Sequence, residues 1–326
     1  MYTFSSAVLS KKRPPRPQAS VMLSLVITTV LGLVPGPRVD GGPPPAPESS
    51  ATQSPAAAPS VAPTATAPGV PPSPSALAQP SGGQPSGSQP SGGGALLGND
   101  VSWPQCNQAL PEDPAFAIVG VNNGLANTTN PCLHQLLDWA EDSLGGTGQP
   151  VVALYVNTAN PGTAGTWWPT DNEYGGETVA NPYGECTEGK TDAPCAYMYG
   201  YAKAFDDAYL RSITNPEDYL WWLDVETGNT WSGDRNANRA VLEGMTDFFQ
   251  SIEARVGIYS AGSQWGQIVG PVTAESSLYA LPSWLAGART VTGARDNCAA
   301  EPLTPGGKVV LTQFVSEGFD YDYSCI

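Results

Sequence analysis

Residues 219–226 read Y-L-W-W-L-D-V-E, an aromatic and aliphatic run that ends in two carboxylates. A short apolar run with no helical period of its own is the mark of a buried strand. Successive strand side chains point to opposite faces, so Asp224 and Glu226, two residues apart, leave the strand on the same face. The sequence therefore predicts two acids side by side at the C-terminal end of a strand.

Such a pair is what glycoside hydrolysis needs, with one carboxyl kept protonated for the leaving oxygen and the other ionised to stabilise or attack the anomeric carbon. Strand residues i and i+2 have Cα atoms about 6.5 Å apart, compatible with the ~5–5.5 Å carboxyl separation of retaining enzymes. The same spacing also suits a loop-capping Asp beside a solvated strand-end Glu, so the rest of the chain has to decide.

Of the 326 residues, the first 95 carry five basic and two acidic groups; the remainder holds nine basic against 28 acidic, a net of −19. Phosphate contact needs clustered Lys and Arg, so a nucleic-acid partner is not expected. The six cysteines, Cys106, Cys132, Cys186, Cys195, Cys298 and Cys325, all fall after residue 95. An even set behind an export signal reads as three disulfides. Sequence cannot choose among the connectivities; sequential pairing, with Cys186 and Cys195 closing a short loop, is the expectation. No metal or other cofactor is expected: there is no CxxC pair, and the single histidine, His134, stands in a helix-like LHQLLDWA segment, where an exposed face accounts for it better than a catalytic triad does.

Residues 1–36 hold Lys11, Lys12, Arg13 and Arg16 ahead of the apolar stretch 19–34, which reads as an export signal or, without a clear cleavage site, a signal anchor. Residues 37–95 are rich in Pro, Ala, Ser and Gly and end in the repeat PSGGQ PSGSQ PSGGG. Such a segment has too little to bury to offset its ordering entropy, and is expected to be a disordered linker. The domain is therefore assigned to residues 96–326. Within it, strands are expected near 97–102, 116–121, 151–156, 219–225, 256–259, 283–286 and 309–314, with helices over 132–142, 196–213, 236–253 and 263–268. This alternation points to parallel βαβ units and an α/β fold, a TIM-like (β/α) barrel with some helices irregular or missing, whose chemistry gathers at the C-terminal strand ends. The long segment 157–195, with Trp167, Trp168, Tyr174 and Tyr183, is expected to wall one side of a groove, since flat aromatic faces suit sugar rings.

Taken together, these motifs resemble glycoside hydrolase family 25, the Chalaropsis-type lysozymes. The resemblance rests on Gly98-Asn99-Asp100-Val101-Ser102-Trp103 with Gln105, on FAIVGV at 116–121, on Leu223-Asp224-Val225-Glu226, on Gly257-Ile258-Tyr259, on Gln313-Phe314 and on Phe319-Asp320-Tyr321-Asp322, all in the family's order. The runs at 100–106, 154–162 and 221–226 are also similar to those of a subgroup of secreted actinobacterial proteins. The resemblance implies a secreted or membrane-anchored glycosidase outside the cytoplasm, acting on the polysaccharide of the cell wall, peptidoglycan, in the manner of a muramidase. It implies Glu226 as general acid and Asp224 as its assistant, with Asp100 and Asp320 in the same pocket. Trp103, Tyr155, Tyr259 and Gln313 would bind substrate, and Asp322 competes with Asp320 for one motif position. The Trp221 and Trp222 pair is expected to desolvate the acid and raise its pKa. The alternative is a barrel that binds wall glycan without cutting it, or a glycosidase for another polysaccharide. The chain departs from the family pattern at Tyr155-Val156-Asn157-Thr158, at Val121-Asn122-Asn123-Gly124 and in the cysteine-closed insertion. These departures surround the expected pocket, so the resemblance carries glycosidase chemistry further than it carries muramic-acid specificity.

Overall fold

The stretch that decides the fold is a strand, β4 (Leu220–Asp224), buried along its whole length. It belongs to a closed eight-stranded barrel in a computed structural model that describes residues 97–326. The expected export signal or anchor and the linker lie outside the described residues. The other strands are β1 (Leu97–Val101), β2 (Ala117–Gly120), β3 (Val152–Asn157), β5 (Arg255–Ser260), β6 (Ser283–Ala288), β7 (Val309–Ser316) and β8 (Phe319–Ser324). Strands β1 to β7 pair in chain order and in parallel, whereas β8 runs antiparallel to both β7 and β1 and closes the barrel.

The eighth strand and its direction were not expected from the sequence. The turn explains them: Glu317 and Gly318 both have positive φ, 53° and 84°. A two-residue turn of that kind matches strand twist and favours glycine at its second position, so it folds β8 straight back along β7. Among the described residues five α-helices pack outside: α1 (Leu133–Glu141), α2 (Ala193–Tyr209), α3 (Arg235–Ser251), α4 (Gly262–Ile268) and α5 (Val291–Asn297). Only α5 has no counterpart among the expected helices; it is short and is capped by Thr290, whose hydroxyl accepts from Gly293 N at 3.1 Å. β1 is followed by a single 3-10 turn, Trp103–Gln105, and β7 by no helix, so the barrel is mixed rather than a regular (β/α) repeat.

Strand alternation divides the core in two. Trp221 points outward and stacks on Phe249 of α3, with ring centroids 4.4 Å apart. Trp222 points inward, into a barrel interior shared with Phe116, Ile118, Trp284 and Leu311. Gly257 on β5, paired with Trp222, leaves room for the indole: a Cβ there would lie 2.3 Å from the ring. Trp221 faces the helices and so is too far round the strand to desolvate the acid, contrary to expectation.

The disulfides pair sequentially, Cys106–Cys132, Cys186–Cys195 and Cys298–Cys325. The last ties the end of α5 to the residue after β8. The long segment between β3 and α2 is mostly irregular, with a small hairpin pairing Glu173 with Thr178. Its aromatic side chains rest on α2, Trp168 on Tyr199 at 5.0 Å and Tyr174 on Phe205 at 5.5 Å.

Candidate active site

Parallel strands deliver their last inward-pointing residues to one end of the barrel, and there a cavity of about 170 Å³ opens. Its lining takes one or two groups from nearly every strand: Asp100 from β1, Tyr155 from β3, Asp224 from β4 with Glu226 two residues on, Tyr259 from β5, Trp284 from β6, Gln313 from β7 and Asp320 from β8. Register brings partners level. Asp100 lies opposite Asp320 across the β1–β8 ladder, and Asp224 beside Tyr259 across β4–β5.

Hydrogen bonds fix the lining. Tyr259 donates to Gln313 Oε1 at 2.8 Å, and Gln313 Nε2 donates to Asp100 Oδ2 at 2.8 Å. Asn157 Nδ2 donates to Asp224 Oδ2 at 2.9 Å, while Asp224 Oδ1 is buried with no partner. The loop after Glu226 is held by Trp231, whose Nε1 donates to the Glu226 carbonyl at 2.8 Å, and by Gln264, whose Oε1 accepts from Thr227 N and Oγ1.

All four carboxylates expected at the site therefore share one cavity, together with Tyr155, Tyr259 and Gln313. Two of the residues expected to bind substrate sit elsewhere. Trp103, 43% exposed, stands in the 3-10 turn after β1, where its indole edge packs over Gly124. Asp322, fully buried, lies one inward position deeper on β8 than Asp320 and accepts from Trp284 Nε1 at 2.8 Å. Asp320 therefore reaches the cavity lining and Asp322 lies beneath it.

A family model described as lysozyme-like protein 1 matches residues 195–296, the span that holds Asp224 and Glu226. Among curated proteins, probable GH family 25 lysozyme 4 of Dictyostelium discoideum is 43% identical over 65 residues, covering 20% of this chain and 29% of the relative. Probable GH family 25 lysozyme 5 of the same organism is 39% identical over 64 residues, covering 19% and 29%. The domain is glycoside hydrolase family 25-like. The chain spans less than a third of the length of the curated relatives it matches. Solved structures similar to it include the muramidase from Trichobolus zukalii, at 17% identity and a TM-score of 0.44 over 70% of this chain and 93% of that one. A family GH25 lysozyme from Aspergillus fumigatus gives 12%, 0.42 and the same coverage.

The electrostatics of this family 25-like site follow from burial. Desolvation, then the nearby Asp320, pushes the Asp100 carboxyl from its ordinary value up to about 7, against the opposing bond from Gln313. Burial raises Asp224 well above the usual range, and the charges of Glu226 and Asp100 raise it further, while Asn157 pulls the other way. Glu226 is raised by burial and then by Asp320, and Asp320 by burial. Asp322 is lifted well above the usual range by burial and by Asp100, against the bond from Trp284, and its Oδ2 is buried without a partner. So many carboxyls around one small cavity do not all ionise together near neutral pH, and a retained proton is what an acid catalyst needs.

Sequence reasoning missed two groups here. Trp284 lines the cavity and clamps Asp322, yet SWLA at 283–286 reads simply as strand. Asn157 and Asn122 appeared only as departures from the family pattern. In the structure they connect: Asn157 N donates to Asn122 Oδ1 at 2.8 Å, and Asn122 Nδ2 donates to the fully buried Asp207 Oδ1 at 2.9 Å. Asp207 is paired with Arg211 at 3.2 Å. A polar line thus runs from the α2 surface to Asp224. Among the described residues no group of three or more His, Cys, Asp or Glu side chains has the arrangement to hold a metal ion.

Proposed function

We propose that this chain is a glycosidase that cleaves the glycan of peptidoglycan, a muramidase-like enzyme of the cell wall. The observation that carries the reading is the convergence of Asp100, Asp224, Glu226 and Asp320 on one cavity at the C-terminal strand ends. Glu226 stands at the mouth, half-buried, where it can exchange protons with water and reach a glycosidic oxygen. With its affinity for the proton raised, it serves as general acid: its proton goes to the leaving oxygen as the anomeric C–O bond breaks. Asp224, deeper and held by Asn157, faces the developing positive charge at the anomeric carbon. Water completes the hydrolysis, and its second proton restores the acid. Asp320 supplies the local charge that keeps Glu226 protonated, Asp100 lies opposite it across the ladder, and Tyr155, Tyr259 and Gln313 bind the sugar at the cavity wall. The three disulfides fit an oxidising compartment outside the cytoplasm, in keeping with a secreted or anchored enzyme.

The test is release of reducing groups from purified peptidoglycan by the full-length chain, beside a Glu226→Gln control. Activity that disappears in the control is the expected outcome. Glycan binding without release by the wild type would instead favour a barrel that holds wall polymer without cutting it, and neither binding nor release would direct the search to another polysaccharide.

A further inference from the structure

A second opening lies at the same end of the barrel as the acidic cavity. It is a cleft of about 430 Å³ whose walls come from the loops after β2, β3 and β4 and from one face of α2. Asn127, Pro161, Thr166, Trp167, Lys203 and Thr230 are among its lining residues. Half of its lining residues belong to the long segment between β3 and α2.

The walls of the cleft are tied to those of the acidic cavity through covalent and hydrogen-bonded neighbours. Thr158, next to Asn157, donates through its hydroxyl to the Asp224 carbonyl at 2.5 Å. Two residues on, Asn160 N donates to the Thr230 carbonyl at 2.8 Å. Thr230 in turn stands four residues after Glu226, in the loop that Trp231 pins to the Glu226 carbonyl. The wall of the cleft is therefore built from the two loops that position Asp224 and Glu226.

Trp167 is 39% exposed although its support is firm. Tyr199 stacks beneath it with centroids 6.2 Å apart at 26°, and Lys203 Nζ sits 5.0 Å from the ring centroid. The lysine is itself buried and bonded to Asp206 at 2.6 Å, so its charge is already met. That pairing disfavours an anionic ligand and leaves a polar donor beside a flat apolar ring. Asn127 Nδ2 bonds Thr166 Oγ1 at 2.9 Å on the rim, adding amide and hydroxyl groups at the edge of the platform. A rigid aromatic face ringed by neutral hydrogen-bonding groups matches a pyranose, whose C–H face is apolar and whose edge carries hydroxyls.

We propose that this cleft is a glycan subsite in which the Trp167 indole seats one sugar of the strand whose scissile bond lies at Glu226. The inference rests on the glycosidase reading of the acidic cavity and extends it: the substrate is a polymer gripped several sugars from the cut. Extended strands are therefore favoured over short fragments.

The test uses the full-length chain carrying Glu226→Gln, so that binding is read without cleavage, and peptide-free peptidoglycan strands fractionated to four and to eight sugars. Calorimetric titration is expected to give tighter binding of the longer strand. Adding Trp167→Ala should weaken the longer strand several-fold to about tenfold while leaving the shorter one unchanged, a loss in the range of one aromatic stack. Trp167→Phe, which keeps a ring, should retain most of the gain and shows that the segment still folds. Binding of both strands with no change in Trp167→Ala would overturn the subsite and leave the glycosidase reading standing. Binding of neither strand, with no reducing groups released by the chain bearing Glu226, would overturn both.

Discussion

Asn157→Ala removes the side-chain donor that bonds the buried Asp224 carboxylate at 2.9 Å, leaving Asn229 as the other amide beside it. Asp224 is 5% exposed and its other oxygen has no partner, so a replacement donor would have to come through the narrow cavity that it lines. A hydrogen bond to a charged group contributes about 1.5–3 kcal/mol, which corresponds to roughly one to two units of pKa. The sign follows from the structure: Asn157 lowers the Asp224 pKa against burial and the charges of Glu226 and Asp100, so its loss moves that pKa further up. If ionised Asp224 faces the anomeric carbon, the acid limb of the kcat/KM profile on peptidoglycan shifts to higher pH by about one unit or more. Below the acid limb the rate then falls by about tenfold to a hundredfold. Profiles of wild type and variant, measured side by side with KM and kcat separated, decide the matter. An acid limb that stays in place, with an equal loss at every pH, would refute this role for the Asn157–Asp224 bond and leave Asn157 a structural residue.

Other outcomes follow from the same geometry. Asp100 holds its proton more tightly folded, at about 7, than at its ordinary value of 3.8, so its contribution to stability is full below that ordinary value and is lost as pH rises through 7. Asp100→Asn, still able to accept from Gln313, should therefore raise Tm by a few degrees at pH 8 and not at pH 4, while abolishing activity; calorimetric scans at both pH values check it. Gly257→Ala places a Cβ 2.3 Å from the Trp222 ring inside the barrel and should cost about 1–3 kcal/mol in urea unfolding. Replacing both Cys298 and Cys325 by Ser opens a loop of 27 residues that staples β8, the closing strand, and should cost about 3–4 kcal/mol by the same measurement.

Much of the barrel was legible because its strands are short apolar runs separated by helical periods, and β4 is the clearest of them. What escaped was β8. Its FDYDYS pattern alternates polar and aromatic groups and looks like a tail, and only the positive φ of Glu317 and Gly318 turns it into the strand that closes the barrel. Asp100, Asp224 and Glu226 were recognisable as site candidates because strand parity and motif order both point to them. Depth along a strand was not legible: Asp320 and Asp322 share parity, and only their partners across the sheet, Asp100 for one and Gly98 and Gln313 for the other, separate the half-buried acid from the fully buried one. Tertiary contacts likewise hid Trp284 and the line from Asp224 through Asn157 and Asn122 to Asp207, since residues 85 positions apart meet there. Trp103 was read from its place in a motif, whereas the 3-10 turn carries its side chain away from the cavity.

The most direct measurement is the chemistry of the end that the enzyme creates. Peptidoglycan digested by the full-length chain, reduced with borohydride and analysed by mass spectrometry, should show muramitol-terminated fragments that are absent from the Glu226→Gln digest. Fragments ending in reduced glucosamine would keep the glycosidase and contradict the muramidase, and no new reduced end at all would contradict the assignment of Glu226 and its neighbours as a glycan-cleaving site.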